Sequence, residues 1–185
     1  MAEGRRFARL RAEAGAGFAG LPSDGMCLSA YLVLRSPTAP REVLVGRVNP
    51  SGPWWEVAAL DEKRVAGLGD RWVLPATQLL LFEGPQQAAL RIASEMLGRP
   101  TLNVGLPRVF SEAYVRGSAS PDPHWDLQFV FSAPWPGGPL EPSRGQLWSE
   151  LRFVDVERTP AAAFGRGHGD VLALVGLPPR PEGPA

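Results

Sequence analysis

The chain has 185 residues, 44% of them hydrophobic, which is enough for one domain with a sizeable core. Its 19 basic and 19 acidic residues balance, so no global field recruits nucleic acid or an anionic membrane. Cys27 is the only cysteine, which excludes an intramolecular disulfide and a thiolate zinc cluster.

The first residues, MAEGRRFARLRAEAG, carry arginines but no apolar segment of signal-peptide length, so no secretory signal is expected. The longest apolar runs, 31–34 and 79–82, are too short to span a bilayer, and a cytoplasmic location is the expectation. Residues 5–14, rich in Ala and Arg, read as a short helix within an N-terminal helical extension over 1–25. Residues 26–34 and 42–48 are apolar, β-branched runs separated by SPTAP, the pattern of a hairpin. Residues 49–70, with Pro, Gly and the Trp54-Trp55 pair, read as a long loop with one helical turn near 60–65. Short strands are expected at 71–75 and 78–82, longer ones at 104–115, 125–132 and 147–154, and a terminal helix around 171–175. The main domain is drawn over 26–176, followed by a flexible, Pro-rich tail over 177–185.

The best-defined element is a helix over 86–97. Gly84 suits the N-cap, Pro85 the first helical position and Gly98 the left-handed stop, while Pro100 prevents continuation. Ala89, Ile92, Ala93, Met96 and Leu97 fall at the spacing of one helical face. Strands before and after this helix, without regular βαβ alternation, argue for a mixed α/β (α+β) domain rather than a doubly wound parallel sheet.

The stretch TQLLLFEGPQQAALRIASEMLGR, residues 77–99, resembles the box of the Nudix hydrolase family. Glu83, Arg91, Glu95 and Gly98 fall in register with that box. Thr77 stands at its first glycine, Ile92 and Met96 at two of its three helix glutamates, and Arg99 at its final aliphatic position. RWVLPATQLL before the box and LQFVFSAPW and LWSELRFVDVE after it are similar to the family's flanking strands, so the resemblance spans about residues 26–176. It implies a mixed β-sheet sandwiched between helices. It also implies a diphosphate hydrolase that holds Mg²⁺ or Mn²⁺ on helix carboxylates.

That chemistry needs hard oxygen ligands, and Ile92 and Met96 supply none. Glu95 alone remains as metal ligand or general base. Its plainer reading is a solvated carboxylate paired with Arg91 at i−4. Glu112, Asp122 and Asp126 are the acids outside the box that could assist it. Glu83, Arg91 and Gly98 read as scaffold, with Arg91 satisfying Glu83 or nearby carbonyls. His124/Asp126 and His168/Asp170 invite a metal or relay reading, but a local structural role is preferred for both. In the GRGHG turn, Arg166 and His168 could meet an anion; Trp55, Arg71, Arg166 and His168 are carried forward as ligand contacts.

The leading expectation is a Nudix-fold protein with lost or strongly reduced hydrolysis, acting as a nucleotide or diphosphate-ligand binding or protein-interaction module with no required cofactor. The alternatives are an active pyrophosphohydrolase using Glu95, acids outside the box and Mg²⁺ or Mn²⁺, or a structural subunit that dimerises through strand edges and exposed tryptophans. The partners expected are a nucleotide-type small molecule and a second copy, with neither nucleic acid nor membrane.

Overall fold

The computed structural model describes residues 5–10, 26–115, 123–140, 147–165 and 167–181. Its sheet is mixed. Strand β1 is Arg9–Leu10, β2 Met26–Arg35, β3 Glu42–Val48, β4 Ala76–Gln78, β5 Arg108–Val115, β6 Pro123–Pro134 and β7 Trp148–Asp155. The strand order is β5-β6-β2-β3-β7, with β1 and β4 also pairing β2. β2 and β6 run parallel from Met26↔Trp125 to Arg35↔Pro134, and every other pair is antiparallel.

Side chains alternate across a strand, so one run of β-branched and aliphatic residues feeds two layers. From β2, Ala30, Leu32 and Leu34 enter one core, while Val33 enters the other. β3 divides in the same way, Leu44 and Val48 against Val43 and Val45. The first core is closed by helices α1 (Trp54–Ala58), α2 (Glu62–Leu68) and α3 (Pro85–Arg91), the second by α4 (His168–Leu174) through Val171 and Leu172. The expected sheet between helices is present.

Several local expectations give way to tertiary pairing. Residues 5–10 are extended, not helical: Ala8 donates its amide to the Leu79 carbonyl at 2.7 Å, Leu81 donates to Arg6 O at 2.8 Å, and Arg9 pairs Cys27. Sheet hydrogen bonds thus override the modest helical preference of Ala and Arg; residues 11–14 lie outside the described set. The long loop over 49–70 holds two helices, the second started by Asp61, whose carboxylate accepts from the Arg64 amide at 2.8 Å. Around the expected strands at 71–75 and 78–82 only Ala76–Gln78 is a strand, flanked by isolated bridges at Trp72, Val73 and Leu80. β5 begins at Arg108 rather than 104. The tail is tied down as far as Arg180, which exchanges backbone hydrogen bonds with Thr159 and Ala161, and Leu177 is buried.

Candidate functional site

The box helix starts as its sequence signals indicate. Gly84 is extended at the N-cap, Pro85 follows, and Gln87 Oε1 accepts the Gly84 amide at 2.8 Å. From Ile92 to Met96 the helix widens to π geometry. It stops at Gly98, where φ is +63°, and the Gly98 and Arg99 amides turn back onto the Ser94 and Ala93 carbonyls. Trp148 Nε1 donates to Met96 O at 2.9 Å and ties this end to β7.

Ile92 and Met96 are each 1% exposed and belong to the same core as Leu32, Leu44 and Phe131. The face that would carry metal carboxylates is therefore covered by sheet. Glu95 points elsewhere. It is not paired with Arg91, as the helical spacing suggested; its two oxygens receive Arg5 Nη1 at 2.6 Å and Nη2 at 2.8 Å. Arg5 Nη1 also donates to Glu56 O at 3.2 Å. The hydrogen bonds and charge of Glu95 raise the Arg5 guanidinium further above its ordinary value, against the opposing effect of burial. A fork of two parallel N–H···O bonds on a carboxylate is among the stronger polar contacts available to a side chain.

Arg91 is a hub instead. Its Nε and Nη2 hold Glu83 at 2.8 Å each, Nη2 also donates to Gln78 O at 3.0 Å, and Nη1 donates to Val57 O at 3.0 Å and to Thr77 Oγ1 at 3.3 Å. Thr77, at the box's glycine position, is buried, and its hydroxyl donates to Val57 O at 2.8 Å. Burial alone would raise the Glu83 carboxyl, but the Arg91 and Leu80 hydrogen bonds and the nearby Arg91 and Arg5 charges outweigh it and hold Glu83 below its usual range. One guanidinium thus joins α1, β4, the loop and α3. Arg99, in place of an aliphatic residue, stacks over Trp135 at 4.8 Å and donates to Pro139 O at 2.8 Å.

Divalent metal does not fit these residues. Two of the three helix positions are buried hydrocarbon or thioether, and the third is already held by a cation. Of the acids outside the box, Asp126 is buried and accepts Ser29 Oγ at 2.8 Å, and Glu112 accepts Gln128 Nε2 at 3.1 Å. Among the described residues no group of three His, Cys, Asp or Glu is placed to hold a metal ion. Asp122 and Arg166 lie outside the described residues.

The remaining expected contacts are dispersed. His168 opens α4; its Nδ1 accepts the Leu74 amide at 3.0 Å and its ring meets Tyr31 edge-on at 5.7 Å. Burial lowers it to about 4, so it is neutral near pH 7 and serves as an acceptor inside the fold. Arg71 is exposed just before Trp72. Trp54 is core, edge-on to Trp148 at 5.0 Å, with Nε1 donating to Asn49 O. Trp55, 59% exposed, meets Phe7 edge-on at 6.2 Å beside a hollow of about 530 Å³. Arg5, Arg6, Phe7, Asp61, Arg64 and Gln78 are among the residues that line that hollow with Trp55. Sequence reasoning singled out Trp55 but missed the arginines and Phe7, because nothing local marks residues 5–7 as neighbours of the box.

No helix among the described residues is long and apolar enough to cross a membrane. No family model matches the chain, and no curated protein matches it. Solved structures do. RenU, a Nudix hydrolase from M. smegmatis, is 22% identical at a TM-score of 0.52, with 92% of this chain and 93% of that one covered. The Nudix domain of Shewanella oneidensis NrtR, crystallised with ADP ribose, is 13% identical at 0.50, covering 89% and 90%. A MutT Nudix hydrolase from Burkholderia pseudomallei is 13% identical at 0.50, covering 81% and 98%. At these TM-scores, over 81–92% of this chain, the chain has the Nudix fold.

Proposed function

We propose that this protein is a Nudix-fold module with lost or strongly reduced diphosphate hydrolysis, binding a nucleotide-type small molecule without a divalent cation. The observation that carries this reading is the box helix, where Ile92 and Met96 are core and Glu95 is forked by Arg5. An internal guanidinium neutralises the last carboxylate, so an anionic ligand can approach without a metal ion between the charges. The hollow beside it offers Arg64, which also lies 3.9 Å from Asp61, as a guanidinium suited to phosphate oxygens, and Trp55 as a face for a ring. The ADP ribose bound by the NrtR domain supports this ligand class.

The test uses ADP ribose on the full chain, with EDTA or with Mn²⁺. The expected result is no turnover in either case and a thermal upshift that EDTA leaves unchanged. At a hundredfold excess over Kd, such binding adds about 2.7 kcal/mol of stability, an upshift of roughly 5–10 °C for a domain of this size. Trp55→Ala and Arg64→Ala should each reduce it. Mn²⁺-dependent turnover abolished by Glu95→Gln would overturn the proposal and favour a working hydrolase.

A further inference from the structure

β5 ends the sheet: β6 pairs with one side of it, and no strand among the described residues pairs with the other. An exposed edge carries a row of backbone donors and acceptors that another strand can complete. Two copies meeting edge to edge in a continuous antiparallel sheet are related by a two-fold axis perpendicular to it. Such an axis keeps each side chain on its own face, and facing residues share a face, so the axis must pass through a residue opposite itself.

β5 reads Arg108, Val109, Phe110, Ser111, Glu112 along the stretch where side chains are described. Centring on Val109 sets Arg108 against Phe110, and centring on Ser111 sets Glu112 against Phe110. Centring on Glu112 faces two carboxylates. Only Phe110 at the axis brings Arg108 opposite the partner's Glu112, and by symmetry does so twice. The charges are available for it. Among the described residues Arg108, which is exposed, has no hydrogen-bond or ion-pair partner, and Glu112 is engaged only at Oε2, by Gln128. Val109, 55% exposed, lies on the other face. On the opposite edge, β7, the described charges are already engaged: Glu150 meets Arg47 and Arg152, and Arg152 stacks over Trp72.

We infer that this chain forms a two-fold dimer through β5, centred on Phe110, with reciprocal Arg108–Glu112 pairs fixing its register. The inference is independent of ligand binding and of hydrolysis. Sedimentation of the wild-type chain over a concentration series should show a reversible dimer. Arg108→Glu or Glu112→Arg sets like charges opposite each other in both pairs and should weaken it by roughly tenfold or more. The combined exchange Arg108→Glu/Glu112→Arg should restore it, while far-UV circular dichroism of all three variants stays native. A wild-type chain monomeric at its highest soluble concentration, or a dimer indifferent to either single change, would overturn the inference, as would failure of the double exchange to recover association.

Discussion

Rebuilding the missing carboxylates is the sharpest perturbation, because the family chemistry and the packing predict opposite results for Ile92→Glu/Met96→Glu. If the helix still faced a cleft, three carboxylates on one turn would create a divalent-ion site. The structure buries both positions to 1% exposure. Each substitution then forfeits about 2 kcal/mol of apolar burial and leaves a carboxyl without a partner at a further cost of about 2 kcal/mol. The pair totals about 8 kcal/mol, within the 5–15 kcal/mol that holds a typical domain together. Neutralising these acids lessens the penalty, so the deficit relative to wild type should be smallest near pH 4 and grow as pH rises and the unfolded chain ionises. Thermal melts by circular dichroism and Mn²⁺ calorimetry measure both sides of the question, with Met96→Leu as a volume-conserving control expected to cost less than about 1.5 kcal/mol. A folded double variant with a melting temperature near wild type and a new Mn²⁺ site would refute the packing argument.

Arg91→Met should destabilise the fold by about 3–5 kcal/mol in chemical denaturation, since it leaves the Glu83 carboxylate, at 10% exposure, without its cation. Glu83 is held below its usual range, so its contribution is complete above pH 4.5 and fades as pH falls through the lower folded value; Glu83→Gln should flatten that acid limb of a stability-pH profile. His168 behaves with the same sign from a different cause. Its folded value of about 4 lies below the ordinary 6.5, so stability should drop as pH falls from 6.5 towards 4, by roughly 3 kcal/mol at most, and His168→Asn should remove that slope. Gly46→Ala should lower the melting temperature without altering the secondary-structure spectrum, because the added Cβ would lie 2.2 Å from the Trp148 ring and 2.9 Å from Leu151.

Much of the fold was legible because its signals are local. The apolar, β-branched runs of β2 and β3, the Gly84-Pro85 start, the Gly98 stop and the apolar stripe through Ile92 and Met96 are read within a few residues of each other. The second helix of the 49–70 segment carried a usable signal as well, an Asp61 cap ahead of Glu62, masked by the surrounding prolines and glycines. The register of Glu83, Arg91 and Gly98 was equally plain.

The sequence by itself determined that helix positions 92 and 96 carry side chains, Ile and Met, that cannot bind a hard cation, since residue chemistry does not depend on fold. Only the tertiary structure decided what became of the third. Arg5 reaches Glu95 across 90 residues of chain, and Phe7 meets Trp55, because residues 6–8 exchange backbone hydrogen bonds with Leu79 and Leu81 and the bordering β1 pairs β2. Those sheet hydrogen bonds are sequence-tolerant backbone contacts, and they convert an arginine-rich segment that favours a helix locally into a strand that delivers its cation to the box.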